Sequence, residues 1–314
     1  MKWVFIGIAI AIFLVISTYA WMVTITFGLL FRRPITKKKV YLKPLFGPGF
    51  DCHSEEINIT QKAYAEKKHE NIKIVSGTIT LRAKLFENPK SDKIIIFVHG
   101  YYSAGMRDIG YFGTLYDDLN VSVLIIDQRA NGSSSGMYTT LGAMERYDVR
   151  EWIFYINNRY KGKKEIYLHG VSMGAATSLL VTSLNGLPNS FKGVIADCGY
   201  SRTNGVLLYA GQRLVKIRPK TLFWGINLFA RFFAGFNLNK VRVSKELKKN
   251  KDIPILFLHG TDDRFVPFNM SVKNYKATNA DKKLVAFPGA GHCESYLKYR
   301  ELYTKEVKDF LYGE

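Results

Sequence analysis

The stretch Gly170-Val171-Ser172-Met173-Gly174 decides the fold of this sequence. It follows a short apolar run at 166–168 and precedes a run at 175–184 with the composition of a packed helix. A serine between two glycines on a sharp turn from strand to helix is typical of a nucleophile elbow, which lifts the hydroxyl clear of the sheet. Gly170 and Gly174 are needed because a side chain two residues from the serine would collide there. The pattern makes Ser172 a candidate nucleophile.

A histidine late in the chain is the candidate base for this serine. A serine hydroxyl becomes a strong nucleophile when a base takes its proton, and the base is usually a histidine that a carboxylate orients. Among the six histidines, His292 is the one placed in a late loop, behind the turn at 288–291. His99, His169 and His259 each end an apolar run before a glycine, which is more typical of structural histidines.

Three aspartates are candidates for the carboxylate that orients this histidine. Asp262 and Asp263 are neighbours in the loop after an apolar run at 255–258. Asp262 also suits a residue that forms a turn. Asp197 ends the predicted strand at 194–197 and is a further alternative. The residues alone leave these three alternatives open.

The motifs, taken in order, resemble the α/β-hydrolase superfamily from about residue 72 to the C-terminus. The matching stretches are the His-Gly loop at 97–101, the Asp-x-Arg-Gly-x-Gly-x-Ser turn at 127–134, the elbow at 170–174, Asp-x-x-Val-Pro at 263–267 and Gly-His at 291–292. Ala130 stands in the second motif where glycine is usual. The chain most resembles the bacterial membrane-anchored or secreted branch described as serine hydrolase or lysophospholipase-like, near the serine aminopeptidases.

This resemblance implies a complete set of catalytic residues. Ser172, His292 and Asp263 correspond to the nucleophile, the base and the acid of the triad. The amides of Met173 and Tyr101 correspond to the oxyanion hole, with Tyr102 as the alternative to Tyr101. The implied chemistry requires neither a metal nor a cofactor.

Alternating strands and helices predict an α/β fold with a mostly parallel sheet flanked by helices. Further strands are predicted at 72–75, 78–85, 93–98, 121–126 and 284–287, and helices at 59–68, 110–119, 149–156 and 303–311. In the helix at 149–156, apolar residues recur with the i, i+3, i+4, i+7 spacing of a buried face. This spacing predicts that Asp148 and Glu151 face solvent.

The segment 200–251 interrupts this alternation and predicts a helical cap over the active site. Its centre at 222–236 is rich in aromatic and aliphatic residues, and its flanks are basic. The apolar surface would line an acyl pocket, and the basic flanks would contact anionic lipid or a substrate carboxylate. The competing interpretation is that the aromatic residues only bury the cap against the body.

Residues 3–31 carry no charge, and this length predicts a single-pass transmembrane anchor at 1–33 in the cell membrane. A cleaved signal peptide is the alternative, although the apolar run continues past the weak cleavage site near residue 20. A connector at 34–71 and the hydrolase domain at 72–314 would follow. Basic residues after the helix favour a cytoplasmic domain, whereas many members of the resembled branch face outward, so both orientations stay open.

The formal net charge of +19 narrows the classes of binding partner that are expected. Anionic lipid or a cell-envelope polymer suits an anchored basic protein, and the sequence carries no nucleic-acid-binding signature. The three cysteines, an odd number, give no disulfide framework, and their spacing predicts no metal site.

The function expected from these residues is hydrolysis of an ester or related acyl bond through an acyl-enzyme. Carboxylesterase or lipase-like activity on a small-molecule acyl substrate leads. Serine peptidase or acyltransferase activity is the alternative within the fold. A catalytically silent interaction module is the alternative from another class of protein.

Overall fold

The computed structural model describes residues 1–33, 53–215 and 220–313, with the backbone alone for 213–215 and 220. Most of the predicted connector, with its basic residues and Cys52, therefore lies outside the described residues. The same is true of the basic side chains at 213–220.

Eight strands in the described residues form one sheet. They are β1 Glu70–Ser76, β2 Ile79–Phe86, β3 Lys93–Val98, β4 Ser122–Asp127, β5 Glu165–Val171, β6 Phe191–Asp197, β7 Ile255–Gly260 and β8 Lys282–Phe287. Their order across the sheet is β1-β2-β4-β3-β5-β6-β7-β8. The pairs from β4 to β8 are parallel, and the β1–β2 and β2–β4 pairs at one edge are antiparallel. The predicted mostly parallel α/β sheet is confirmed.

Helices cover both faces of this sheet. In chain order they are α1 Lys2–Phe31, α2 Ser54–Glu66, α3 Gly105–Leu119, α4 Glu145–Arg159, α5 Met173–Val181, α6 Thr203–Val215, α7 Lys220–Phe233, α8 Val243–Glu246, α9 Asn269–Ala277, α10 Ser295–Lys298 and α11 Arg300–Tyr312. A short 3₁₀ helix, Leu247–Lys249, follows α8. Helices α2, α3, α10 and α11 pack together on one face, and α4, α5, α8 and α9 lie on the other.

Two hydrophobic clusters hold these layers together, one on each face of the sheet. Strand β3 supplies both, because every one of its residues is buried and its side chains alternate between the faces. Such an unbroken apolar run is typical of a central parallel strand. The carboxyl ends of β3, β5, β6 and β7 consequently meet at one edge, where the loops that carry the predicted motifs emerge.

Helix α4 corrects one prediction from the sequence. Val149, Trp152 and Ile153 are buried as the spacing indicates, but Asp148 is also buried, with 1% of its surface exposed. Its carboxylate accepts hydrogen bonds from Arg129 Nε at 2.6 Å and Nη2 at 2.7 Å. The prediction that Asp148 faces solvent was wrong because a buried, bidentate ion pair compensates its charge.

The described part of the segment between β6 and β7 is mainly helical. Helices α6 and α7 occupy its first part, and α8 with the 3₁₀ helix occupies its end. Ile226 and Ala230 of α7 are buried, whereas Trp224 and Phe232 are exposed over 67% and 78% of their surface. The aromatic residues of the segment thus divide between the interior and the surface.

Helix α1 is the one described helix whose length and composition suit a membrane span. A signal sequence can have the same length and composition. Its apolar window has a mean hydropathy of 2.3 and is not buried in the protein. The last turns behave differently, because Val23, Phe27 and Phe31 are buried. Phe27 and Phe31 belong to the same hydrophobic cluster as Met173 of α5. The C-terminal end of α1 therefore packs into the hydrophobic core of the described structure.

Candidate active site

The turn between β5 and α5 places Ser172 in a strained backbone conformation. Ser172 has φ of 55° and ψ of −113°, a combination that residues with a side chain rarely adopt. Its amide donates to the carbonyl of Asp197 on the neighbouring strand at 2.8 Å, which secures the turn to the sheet. The side chain lies at the carboxyl edge of the sheet and is 5% exposed.

The two flanking glycines are required by close backbone approaches. A Cβ on Gly170 would lie 2.3 Å from the carbonyl oxygen of Gly174, and a Cβ on Gly174 would lie 1.9 Å from that of Val98. Both distances are far below van der Waals contact. The elbow can therefore sit between β3 and α5 only with glycine at these two positions.

Ser172, His292 and Asp263 form one continuous hydrogen-bonded chain. Ser172 Oγ lies 2.9 Å from His292 Nε2, and His292 Nδ1 lies 2.6 Å from Asp263 Oδ2. With the proton of the ring on Nδ1, His292 donates to Asp263 and accepts from Ser172. The loops after β5, β7 and β8 bring these side chains together over 120 residues of sequence separation between Ser172 and His292.

Both oxygens of the Asp263 carboxylate are engaged. Oδ1 accepts from the amides of Phe265 and Val266, each at 2.8 Å, and Oδ2 also contacts His259 Nε2 at 3.1 Å. Burial alone would raise the pKa of Asp263, but His292 and the hydrogen bonds hold it well below its usual range. The carboxylate is therefore ionised across the physiological range of pH.

This ionised carboxylate controls the charge of the neighbouring ring. Burial lowers the pKa of His292, yet the negative charge of Asp263 outweighs this effect and raises that pKa well above 6.5.

The two other candidate acids bind other partners. Asp262 is exposed and accepts from Thr261 Oγ1 at 3.0 Å, and Asp197 Oδ2 accepts from the Tyr303 hydroxyl at 3.0 Å.

The two predicted oxyanion donors come from segments that adjoin Ser172. Met173 is the first residue of α5, and the first amides of a helix have no partner within the helix. Tyr101 follows Gly100, on which a Cβ would lie 3.7 Å from the Cβ of Ser172. The alternative, Tyr102, has φ of 50°. The structure thus places both segments beside the serine, and their role in catalysis stays a prediction.

Sequence reasoning missed the carboxylate that fixes the loop after β3. Asp108, near the start of α3, accepts from the Gly100 amide at 2.7 Å through Oδ2 and from the Ser103 hydroxyl through Oδ1. It is 9% exposed. The only signal in the sequence was an acidic residue just before the helix predicted at 110–119, which is common for general reasons.

The turn at 127–134 tolerates its unusual alanine. Ala130 adopts φ of 59°, the left-handed conformation that glycine normally supplies. Asp127 ties the turn together through Ser133, whose amide donates to Oδ2 at 2.8 Å, and through Gly105, whose amide donates to Oδ1 at 2.9 Å. The departure at Ala130 therefore leaves the turn in the conformation that the motif requires.

The histidines at the strand ends are buried and hydrogen-bonded, as the sequence indicated. His99 accepts from the Gln128 amide at 3.0 Å, and His169 lies between the hydroxyls of Tyr116 at 2.7 Å and Tyr303 at 3.0 Å. Burial lowers the pKa of His169 to about 3. His259 differs from these two because it contacts Asp263, a role that its position four residues earlier could have suggested.

Two cysteines lie next to His292 and close to each other. Cys198 Sγ and Cys293 Sγ lie 3.6 Å apart, and both lie within 4.8 Å of a ring nitrogen of His292. These three residue types are those that bind soft metals. The spacing along the chain predicted no such group, because the two cysteines are 95 residues apart in sequence.

Comparison with known proteins places this chain in a family. The model of the α/β hydrolase fold family matches residues 93–252, which is half of the chain. The chain belongs to the α/β hydrolase fold family, and the resemblance seen in its motifs is confirmed. Among curated proteins, YqkD of Bacillus subtilis is 29% identical over 69% of this chain and 70% of its own length. Protein bem46 of Schizosaccharomyces pombe is 24% identical over 86% of each chain.

Solved structures share the fold at low identity. The Pyrococcus furiosus esterase Pf2001 superposes with a TM-score of 0.61 and 22% identity, covering 79% of this chain and 92% of that one. Est1E from Butyrivibrio proteoclasticus, solved with ferulic acid bound, gives a TM-score of 0.55 and 22% identity, covering 76% and 97%. At this identity the likeness shows the fold.

Gly174→Ala is expected to destabilise the protein, because the added methyl group would lie 1.9 Å from the Val98 carbonyl. Overpacking of this kind costs about 1–3 kcal/mol or more. Chemical unfolding of the full chain in detergent measures the change. Gly7→Ala is the control, since nothing lies within 4 Å of a Cβ there. Equal stability of the two variants would contradict the packing described for the elbow.

Asp263→Asn is expected to lower the pKa of His292, because the charge that raises it is removed while burial stays. Titration of the ¹⁵N-labelled ring by NMR measures the shift. The full chain should titrate above 6.5 and the variant at a lower pH. Asp262→Asn is the matched control, since this neighbouring carboxylate is exposed and accepts from Thr261. A titration unchanged by Asp263→Asn would show that Asp263 does not set the charge of the ring.

Proposed function

We propose that this protein is a serine hydrolase that cleaves an ester or related acyl bond. The observation that carries the proposal is the hydrogen-bonded chain from Ser172 through His292 to Asp263, with distances of 2.9 and 2.6 Å. The strained turn at Ser172 supports the same interpretation, because a surface serine has no need of it. Family membership favours hydrolysis, and the esterases that share the fold favour an ester over a peptide.

The first half of the proposed reaction is acylation of Ser172. His292 Nε2 takes the hydroxyl proton as Oγ forms a bond to the carbonyl carbon, and the ring becomes positively charged. Asp263 stabilises that charge and holds the proton on Nδ1. The negative oxygen of the tetrahedral intermediate would accept from the amides of Met173 and Tyr101, each worth about 3 kcal/mol. His292 then protonates the leaving group, and the bond from the carbonyl carbon to that group breaks.

The second half is hydrolysis of the acyl-enzyme. A water molecule gives a proton to His292 Nε2 as its oxygen attacks the acyl carbon. The bond to Ser172 Oγ breaks, and the proton on the ring returns to the serine. The acid product leaves, and the enzyme is restored. None of these steps needs a group other than the side chains and amides named above.

The proposed arrangement in the cell is a single-pass membrane protein. Residues 1–33, which contain α1, would anchor the protein in the membrane. The segment 200–251 would act as a cap on the hydrolase domain at 72–314. The net charge of +19 supports contact with anionic lipid or an acidic cell-envelope polymer.

Labelling with a fluorophosphonate probe tests the proposed nucleophile in the full chain. Such probes react with an activated serine, so the unmodified protein should label and Ser172→Ala should not. Hydrolysis of p-nitrophenyl butyrate should fall about 10⁴-fold or more in the same variant. Ser178→Ala is the matched control, because Ser178 is a buried serine of the same helix.

Two outcomes would count against the proposal. Labelling that persists in Ser172→Ala would assign the reactive group to another residue. A folded protein that neither labels nor hydrolyses esters would favour a silent interaction module with the same fold.

A further inference from the structure

The C-terminal end of α1 is capped by the loop that follows β3. The last carbonyls of a helix have no partner within the helix. Here the Tyr101 hydroxyl donates to the Leu30 carbonyl at 2.6 Å, and the Tyr102 hydroxyl donates to that of Leu29 at 2.6 Å and of Arg32 at 3.0 Å. The segment proposed to supply an oxyanion donor is thus fixed to the apolar N-terminal helix.

Helix α7 lies beside α1 and runs in the same direction. The Tyr19 hydroxyl donates to the Thr221 carbonyl at 2.7 Å, and the ring centroids of Phe27 and Phe229 lie 5.8 Å apart. Gly225 permits this approach, since a Cβ there would lie 2.5 Å from Val23 Cγ2. The contacts in order pair Tyr19 with Thr221, Val23 with Gly225, Phe27 with Phe229 and Phe31 with Phe236.

These pairings fix the level of α7 relative to a bilayer. The part of α1 that lacks buried residues ends at Met22, because burial begins at Val23. Twenty residues before that point span about 30 Å, the thickness of the hydrocarbon core. The surface of the bilayer then lies near Met22. Trp224, next to Gly225, lies at that level together with Trp21 of α1, where tryptophan is favoured.

Helix α7 exposes three large aromatic side chains. Trp224, Phe232 and Phe233 are exposed over 67%, 78% and 58% of their surface, and we name these three residues the aromatic face. Arg231 is the one charged residue at 221–233. Arg231 is also exposed and, seven residues after Trp224, lies on the same side of the helix. Phe233 packs on Phe27 of α1, with ring centroids 6.2 Å apart, so the aromatic face follows α1 away from the level of Trp224. Exposed aromatic surface of this extent indicates an apolar partner.

The site of the proposed chemistry lies a short distance beyond the level of Met22. The carbonyls that the two tyrosines bind follow Met22 by about 7–10 residues, or about 10–15 Å along the helix. Ser172 and His292 are only 5% and 2% exposed, so the reacting groups lie below the surface of the protein. An approach along α1 and α7 would bring an apolar substrate to them from the membrane.

We propose that Trp224, at the membrane end of the aromatic face, contacts the lipid bilayer and that the substrate is the acyl ester of a membrane-resident lipid. This inference rests on the proposed serine hydrolase function. Continuity carries it, because α7 packs along the helix that suits a membrane span and α1 in turn holds the loop beside Ser172. The N-terminal helix is then a wall of the site as well as an anchor.

Quenching of tryptophan emission tests the membrane contact without any assay of activity. The full chain with Trp3→Phe and Trp21→Phe keeps Trp224 and the buried Trp152. Vesicles of phosphatidylcholine and phosphatidylglycerol with brominated acyl chains should quench part of its emission. Adding Trp224→Phe should abolish that loss, because Trp152 lies in the core. Quenching that is absent or unaffected by Trp224→Phe would overturn the membrane contact.

A pair of esters tests the substrate class. In the Trp224→Ser, Phe232→Ser double variant, hydrolysis of umbelliferyl palmitate held in vesicles should fall about tenfold, since apolar contact area is lost. Hydrolysis of p-nitrophenyl butyrate in solution should not change. Ile59→Ser is the control, because this apolar residue of α2 is also exposed, over 61% of its surface.

The outcomes separate this inference from the proposed function. An equal fall with both esters would show a merely structural role and overturn the lipid assignment. Activity of the unmodified protein on butyrate but not on palmitate would overturn the lipid substrate and leave the serine hydrolase intact. Quenching without activity on either ester would overturn the lipid substrate together with the proposed function, while the membrane contact would stand.

Discussion

The close approach of the elbow to the central strand is the constraint on which the rest of the site depends. Gly174 lies so near the Val98 carbonyl that no other residue fits, and Gly170 meets the first turn of α5 in the same way. These contacts hold Ser172 at φ of 55°. Strain of this kind persists only where the surrounding structure over-determines it. The packed parallel strands therefore supply the rigidity that keeps the hydroxyl within 2.9 Å of His292.

The charge states of Asp263 and His292 depend on the groups around them. Asp263 is buried, yet two backbone amides and two histidines satisfy its oxygens, so it stays ionised where an unpartnered carboxylate would take up a proton. Its charge raises the pKa of His292 against the opposing effect of burial. The positively charged form of the ring is thereby stabilised. The cysteine pair beside the ring adds soft sulfur atoms to the same small volume.

Helix α1, the N-terminal helix, is in direct contact with the loop beside this site. Its terminal carbonyls need partners, and Tyr101 and Tyr102 supply them from the loop beside Ser172. Its aromatic side chains pack against α7, so the helix, the insertion and the elbow share one hydrophobic cluster. A movement of α1 would therefore displace the loop after β3. Helix α1 and the hydrolase fold form one packed unit here, although the sequence shows an abrupt change of composition between them.

The sequence by itself determined the alternation of strands and helices, the strained turn and the family, because hydrophobic period and glycine spacing are local properties. Strand β3 was predicted at its observed bounds, whereas the other elements differed by a few residues at their ends. Only the tertiary structure decided which aspartate faces His292, that Asp148 is buried against Arg129, and that Cys198 meets Cys293. Those outcomes depend on contacts between segments far apart in the chain, and a linear pattern carries no distance across the sheet.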